Sequence, residues 1–113
     1  MLLEELSGVR LSQRPPLEDP PKTLGEILRS MRLAYARAHL VNADLSEYNV
    51  LTDGGSVWLI DWPQAIDASH PNSGELLRHD VNAITAFFRR AYDAELDQEK
   101  AFDYVTGRTE QLE

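Results

Sequence analysis

A chain of 113 residues has room for one domain, or part of one, and for a core with little margin. Its 19 acidic residues against 11 lysines and arginines give a net charge of −8, which argues against a bare nucleic-acid binder. Cysteine is absent, so disulfides and thiolate metal sites are excluded, and no apolar run approaches the roughly 18 residues of a membrane span.

Met1 to Leu6, MLLEEL, opens inside an apolar run, with no signal-peptide pattern and no helix cap ahead of it. A chain that starts this way is expected to have lost what came before it. Ser7-Gly8-Val9-Arg10-Leu11 reads as a turn and a short extended piece. Arg14 to Lys22, RPPLEDPPK, carries four prolines and reads as a loop or linker. Thr23 and Glu26 form a capping-box pattern that opens a helix over about residues 24–38. Leu24, Ile27, Leu28, Met31, Tyr35 and Ala38 share its apolar face. His39-Leu40-Val41 then leads into a loop.

Tyr48–Thr52 and Ser56–Ile60 read as the two strands of a hairpin, with Asp53-Gly54-Gly55 supplying the tight turn. Both faces of this hairpin are too apolar to be freely exposed. The next stretch, Asp61 to Pro71, is irregular. A second helix is expected from about Ser73 to Ala91, with Leu77, Val81, Ile84 and Phe88 on one stripe and Phe87 beside it. Arg89 and Arg90 complement its C-terminal dipole. Asp97 caps a last helix that turns Ala101, Phe102 and Val105 inward and stops at Gly107. The architecture is α+β, mostly α, around one small hairpin.

The chemistry concentrates between Asn42 and Asp61, NADLSEYNVLTDGGSVWLID. Asp44 and Asn49 stand in an Asp-x₄-Asn spacing, and a hairpin pattern runs from there to Asp61. Phosphoryl transfer from a metal-bound nucleotide needs one acid near the attacking hydroxyl, and an amide and an acid that hold Mg²⁺ against the phosphates. Asp44 suits the first role, or is a turn aspartate bonding its own backbone. Asn49 offers a hard amide oxygen for Mg²⁺, or caps a strand end. Asp61 ends an apolar strand, where a carboxylate is costly unless paired or metal-bound. Asp80, on the second helix, either accepts backbone amides from the Asp44 loop or is a solvated helix residue. The three histidines share no metal-ligand spacing.

Ala43-Asp44-Leu45-Ser46-Glu47-Tyr48-Asn49, followed by Leu59-Ile60-Asp61-Trp62-Pro63-Gln64, resembles the RIO family of atypical serine/threonine protein kinases. Ser69-His70-Pro71-Asn72 and Arg78-His79-Asp80-Val81 are similar to the same family further on. The Asp-Trp-Pro-Gln and Ser-His-Pro-Asn pieces look most like the archaeal form of its second subfamily. The resemblance implies a protein-kinase-like C-lobe with the N-lobe missing. Residues 1–22 would be hinge and Pro-rich linker, and 23–113 the lobe. It implies Asp44 as the catalytic aspartate, Asn49 and Asp61 as metal ligands, and Asp61 as the aspartate proposed to be phosphorylated in the family. Backbone groups of Glu4 and Leu6 would meet the adenine edge of ATP.

The resemblance further implies ATP and Mg²⁺ as cofactors and a protein serine or threonine, or water, as acceptor. It implies a cytoplasmic role in small ribosomal subunit maturation, with a preribosomal particle as partner, no membrane and no direct nucleic-acid contact by this acidic chain. Two departures stand out. Asn42 replaces the histidine that usually braces the loop, and the Gly-rich loop, the strand lysine and the winged-helix domain are missing. A catalytically inactive interaction module is a second reading, and a small-molecule phosphotransferase of the wider kinase-like fold is a third.

Overall fold

The computed structural model describes residues 8–53, 56–60 and 65–112. Within them the fold is mixed α/β with three helices. Strand β1 (Val9–Arg10) leads through a 3-10 turn (Leu11–Gln13) and the proline-rich segment into helix α1 (Pro20–Arg37). Strand β2 (Leu40–Val41), a second 3-10 turn (Glu47–Asn49), strands β3 (Val50–Asp53) and β4 (Ser56–Leu59), and strand β5 (Ile66–Asp67) follow. Helices α2 (Ser73–Tyr92) and α3 (Gln98–Thr106) complete the order.

Helix α1 begins three residues before the capping box that the sequence suggests. Asp19 is the N-cap, and its side chain accepts the Lys22 amide at 3.2 Å. Pro20 and Pro21 then occupy the first turn, where the missing N–H groups would have had no intrahelical partner. Two prolines read as helix breakers thus start the helix, and Thr23 is an interior, buried residue. Asp19→Ala is expected to lower stability by about 1 kcal/mol, a shift in urea midpoint with an unchanged slope. At the other end Ala38 is the C-cap and exposed, so the apolar face stops at the half-buried Tyr35.

The core is the junction of α1 with α2 and α3. Leu24, Ile27, Leu28 and Met31 of α1 meet Leu77, Val81, Ile84 and Phe88 of α2 and Ala101 and Val105 of α3, all buried. The helical spacing that groups these residues is therefore the packing face, as the periodicity predicts, and each large side chain contributes roughly 1.5–3 kcal/mol of burial. Phe87, Phe88 and Tyr92 form an aromatic cluster with centroids 5.4–6.0 Å apart. The Tyr92 hydroxyl donates to the Pro15 carbonyl at 2.7 Å, which ties the proline-rich segment to the end of α2. Burial raises the Tyr92 pKa above its usual 10.0. Helix α3 starts and stops as expected. The Asp97 side chain accepts the Glu99 and Lys100 amides, and Gly107 takes the left-handed conformation, φ 88°, that ends the helix.

The hairpin forms with a later start than its sequence suggests. Val50 pairs with Leu59 and Asp53 with Ser56, while Tyr48 and Asn49 lie in the preceding 3-10 turn. Gly54 and Gly55 lie outside the described residues. β1 adds a third antiparallel strand, Val9 opposite Thr52, and α1 packs on β4. The half-burial of Val57, Trp58 and Leu59 follows from that cover. β2 and β5 form a second antiparallel ribbon, with Leu40 opposite Asp67 and Val41 opposite Ile66, so a strand lies inside the Asp61–Pro71 stretch that reads as irregular. No helix among the described residues is long and apolar enough to cross a membrane.

Candidate active site

The loop that carries Asp44 is held from both sides. His39 takes a left-handed conformation, φ 55°, which turns the chain out of α1, and its carbonyl accepts the Ala68 amide at 2.7 Å. β2 then pairs with β5, so the loop leaves from a fixed edge. Ala43 is also left-handed, φ 73°, a conformation that costs a non-glycine residue roughly 1–2 kcal/mol. The geometry survives because Asp80 holds it. This fully buried carboxylate accepts the Ala43 amide at 2.8 Å and the Leu45 amide at 3.1 Å. Of the two readings the sequence leaves open for Asp80, the brace is the one observed. Burial pushes its carboxyl above the usual 3.8, the Leu45 and Ala43 amides pull the other way, and the charge of Asp44 adds to the upward push.

Asn42 supplies a further tie. It is 4% exposed, and its Oδ1 accepts the Asp44 amide at 3.1 Å. The bracing role expected of a histidine at this position is thus met in part by a carboxamide. Its Nδ2, buried, finds no partner among the described residues. With the flanking amides held by Asp80 and Asn42, the Asp44 side chain stands exposed at the loop apex, and Leu45 anchors the loop below it at 1% exposure. Such an arrangement presents a carboxylate to a substrate hydroxyl without folding it into its own backbone.

Asn49 sits at the foot of the hairpin. It closes the Glu47–Asn49 turn, is 7% exposed, and its Oδ1 accepts the Ser46 hydroxyl at 2.9 Å. Its carbonyl accepts the Ile60 amide at 2.8 Å, which extends the β3–β4 ladder by one residue. Asn49 is therefore joined to Ile60, the residue that precedes Asp61 in sequence. Asp61 itself, and the adenine-edge candidates Glu4 and Leu6, lie outside the described residues. The Asn49 oxygen suits Mg²⁺: an amide oxygen accepts two partners, and Ser46 takes one.

One contribution to the site has no signal in the local sequence. Arg10 reaches across 38 positions to donate to the Tyr48 carbonyl at 3.1 Å. Tyr48, 62% exposed, has its amide held by Ser46 Oγ at 3.2 Å. The Ser46 contacts had a faint cue, a serine three residues before an asparagine. At the end of β5, Asp67 accepts the Ser69 amide at 2.8 Å and hydroxyl at 2.7 Å, which hold its carboxyl below the usual range with a smaller pull from His39. This turn delivers the chain to α2, where the Ser73 hydroxyl donates to the Ala68 carbonyl.

A family model described as "RIO domain" matches residues 2–101. The chain belongs to the RIO domain family. It is 40% identical over 113 residues to the RIO-type serine/threonine-protein kinase Rio1 of Haloferax volcanii, covering 95% of this chain and 38% of the relative. It is 39% identical over 99 residues to the serine/threonine-protein kinase rio1 of Schizosaccharomyces pombe, covering 81% of this chain and 20% of that protein. A Rio2 kinase of Methanocaldococcus jannaschii matches at 32% identity over 91% of this chain and 40% of its own length, so relatives named Rio1 and relatives named Rio2 are alike similar to it. This RIO chain spans about two fifths or less of these relatives. In structure it is similar to the Rio2 kinase of Chaetomium thermophilum in its ADP/Mg²⁺–phosphoaspartate complex. The TM-score is 0.67 over 94% of this chain and 40% of that one, and at 22% identity the likeness is one of fold.

Proposed function

We propose that this RIO chain is a kinase C-lobe that takes part in phosphoryl transfer from Mg²⁺·ATP to a serine or threonine of a protein. The observation that carries the reading is the loop from Asn42 to Asn49. Its Asp44 carboxylate is exposed, its amides are held by a buried Asp80, and Asn49 is fixed at its far end. Relatives named serine/threonine-protein kinases at 36–40% identity support the reaction class. Residues 1–22 are proposed as hinge and linker, with Glu4 and Leu6 at the adenine edge, and 23–113 as the lobe.

Asp44 orients the acceptor hydroxyl and takes its proton as the oxygen bonds to the γ-phosphorus and the bond to the β,γ-bridging oxygen breaks, releasing ADP. Asn49 and Asp61 would hold Mg²⁺, which when bound neutralises charge on the phosphate oxygens. Asp61 is also the candidate for the phosphorylated aspartate, a state that the Chaetomium thermophilum complex carries in its own name. The family resemblance supports a cytoplasmic protein acting on a small-subunit preribosomal particle. The excess of acids, 19 against 11 basic residues, supports contacts with protein rather than RNA.

Calorimetric titration of Mg²⁺·ATP into the purified chain tests this reading beside Asn49→Ala and Asp61→Asn. Binding by the wild type that weakens at least about tenfold in either variant is expected, as for removal of a metal ligand. A folded chain that binds no nucleotide in any form would leave an interaction module in place of the kinase reading.

A further inference from the structure

We infer that Ser46 is a positioning residue for Asn49: its hydroxyl holds the Asn49 carboxamide with the oxygen end fixed for metal binding. The inference rests on the proposed metal role of Asn49. A carboxamide has two ends of nearly equal size, and only the oxygen is a hard ligand. Something must therefore decide which end is presented. Ser46 is the N-cap of the Glu47–Asn49 turn, in an extended conformation, φ −156° and ψ 179°. Its Oγ accepts the Tyr48 amide at 3.2 Å, which fixes the oxygen in space. The single hydroxyl proton then goes to Asn49 Oδ1 at 2.9 Å.

Asn49 is 7% exposed, so solvent offers little alternative for that oxygen. Its main chain is pinned as well, with the amide donating to the Ser46 carbonyl at 3.0 Å and the carbonyl accepting from Ile60 at 2.8 Å. One residue thus bonds both the backbone and the side chain of Asn49. Without the hydroxyl the backbone turn retains its N–H to C=O bond, but the carboxamide is free to rotate and to present nitrogen. Groups that orient a metal ligand from behind typically change affinity about 10–100-fold when removed.

The test is a double-mutant cycle on Mn²⁺ binding in the presence of ADP, read by calorimetry and by the electron-spin signal of free Mn²⁺. Ser46→Ala is expected to weaken binding about tenfold, and Ser46→Thr, which keeps the hydroxyl, to stay within about twofold of wild type. In an Asn49→Ala background the Ser46→Ala change is expected to shrink below about twofold, because the two residues act as one unit. An undiminished effect there would mean that Ser46 acts through the turn alone, and the inference would fall. Wild-type affinity in Ser46→Ala beside weakened Asn49→Ala would overturn it too. Wild-type affinity in Asn49→Ala would instead overturn the metal reading of Asn49. A metal-free arm separates the two failures. The Asn49 side-chain amide resonances are expected to shift towards solvent-exposed positions in Ser46→Ala, and unchanged resonances there would show that the hydroxyl does not hold the carboxamide.

Discussion

Asp80→Ala is expected to lower stability by roughly 2–5 kcal/mol, a large part of the about 5–15 kcal/mol that holds a domain together. The carboxylate is fully buried and accepts two amides, so its removal strands the Ala43 and Leu45 N–H groups together. Each stranded donor costs roughly 1–3 kcal/mol. Asp80→Asn keeps one acceptor oxygen and turns an NH₂ group towards the other amide, so its loss should be smaller, roughly 1–3 kcal/mol. The pH dependence gives a second check. Burial raises the folded-state pKa above 3.8, so the folded chain binds more protons than the unfolded chain in the window just above that value. The contribution of Asp80 is then fully present below 3.8 and declines as pH rises through the folded pKa. Asp80→Asn lacks this titration, and the stability gap between the two proteins should narrow as pH rises from about 4. Urea melts across that window measure it. A gap that widens with pH would mean that the two amides outweigh burial and lower the pKa.

The second large effect is on turnover. In a chimera carrying these residues in place of the matching segment of the Haloferax volcanii relative, Asp44→Asn is expected to cut phosphoryl transfer about 10²–10⁴-fold. The side chain is exposed and no packing depends on it, so the fold and the affinity for Mg²⁺·ATP should persist. Radiolabel transfer to a serine substrate gives the rate, and calorimetry the affinity. The 113-residue chain alone should transfer negligibly, because its sequence contains no Gly-rich phosphate loop and no strand lysine to complete the cradle. Turnover by that chain that vanished in Asp44→Ala would contradict this.

What the sequence makes legible follows from how local each signal is. The α2 and α3 helices are legible because their apolar stripes, and for α3 the Asp97 cap and Gly107 stop, lie within a few turns of each other. The Asp44–Asn49 spacing is legible for the same reason. Helix α1 starts at Pro20 rather than near Thr23 because proline suits a first turn as well as it breaks an interior. Asn49 lies in a 3-10 turn because Ser46 caps it, and strand propensity does not register a cap of that kind. The β2–β5 ribbon joins two-residue strands far apart in the chain, and so short a segment has no period to read. Asp80 stays open to two readings because its partners are distant in the chain: a buried aspartate in a helix looks like a solvated one until the loop it serves is folded against it.

That brace also sets an order in time. Asp80 lies 37 positions after Ala43 and 35 after Leu45, so during synthesis the loop emerges well before its acceptor. Until α2 forms and docks, the Ala43 and Leu45 amides have only water, and nothing offsets the left-handed turn at Ala43. The loop therefore takes its final shape with the closing of distant contacts, the slow kind, rather than as an early local turn. A nascent chain would carry Asp44 but not the loop that aims it.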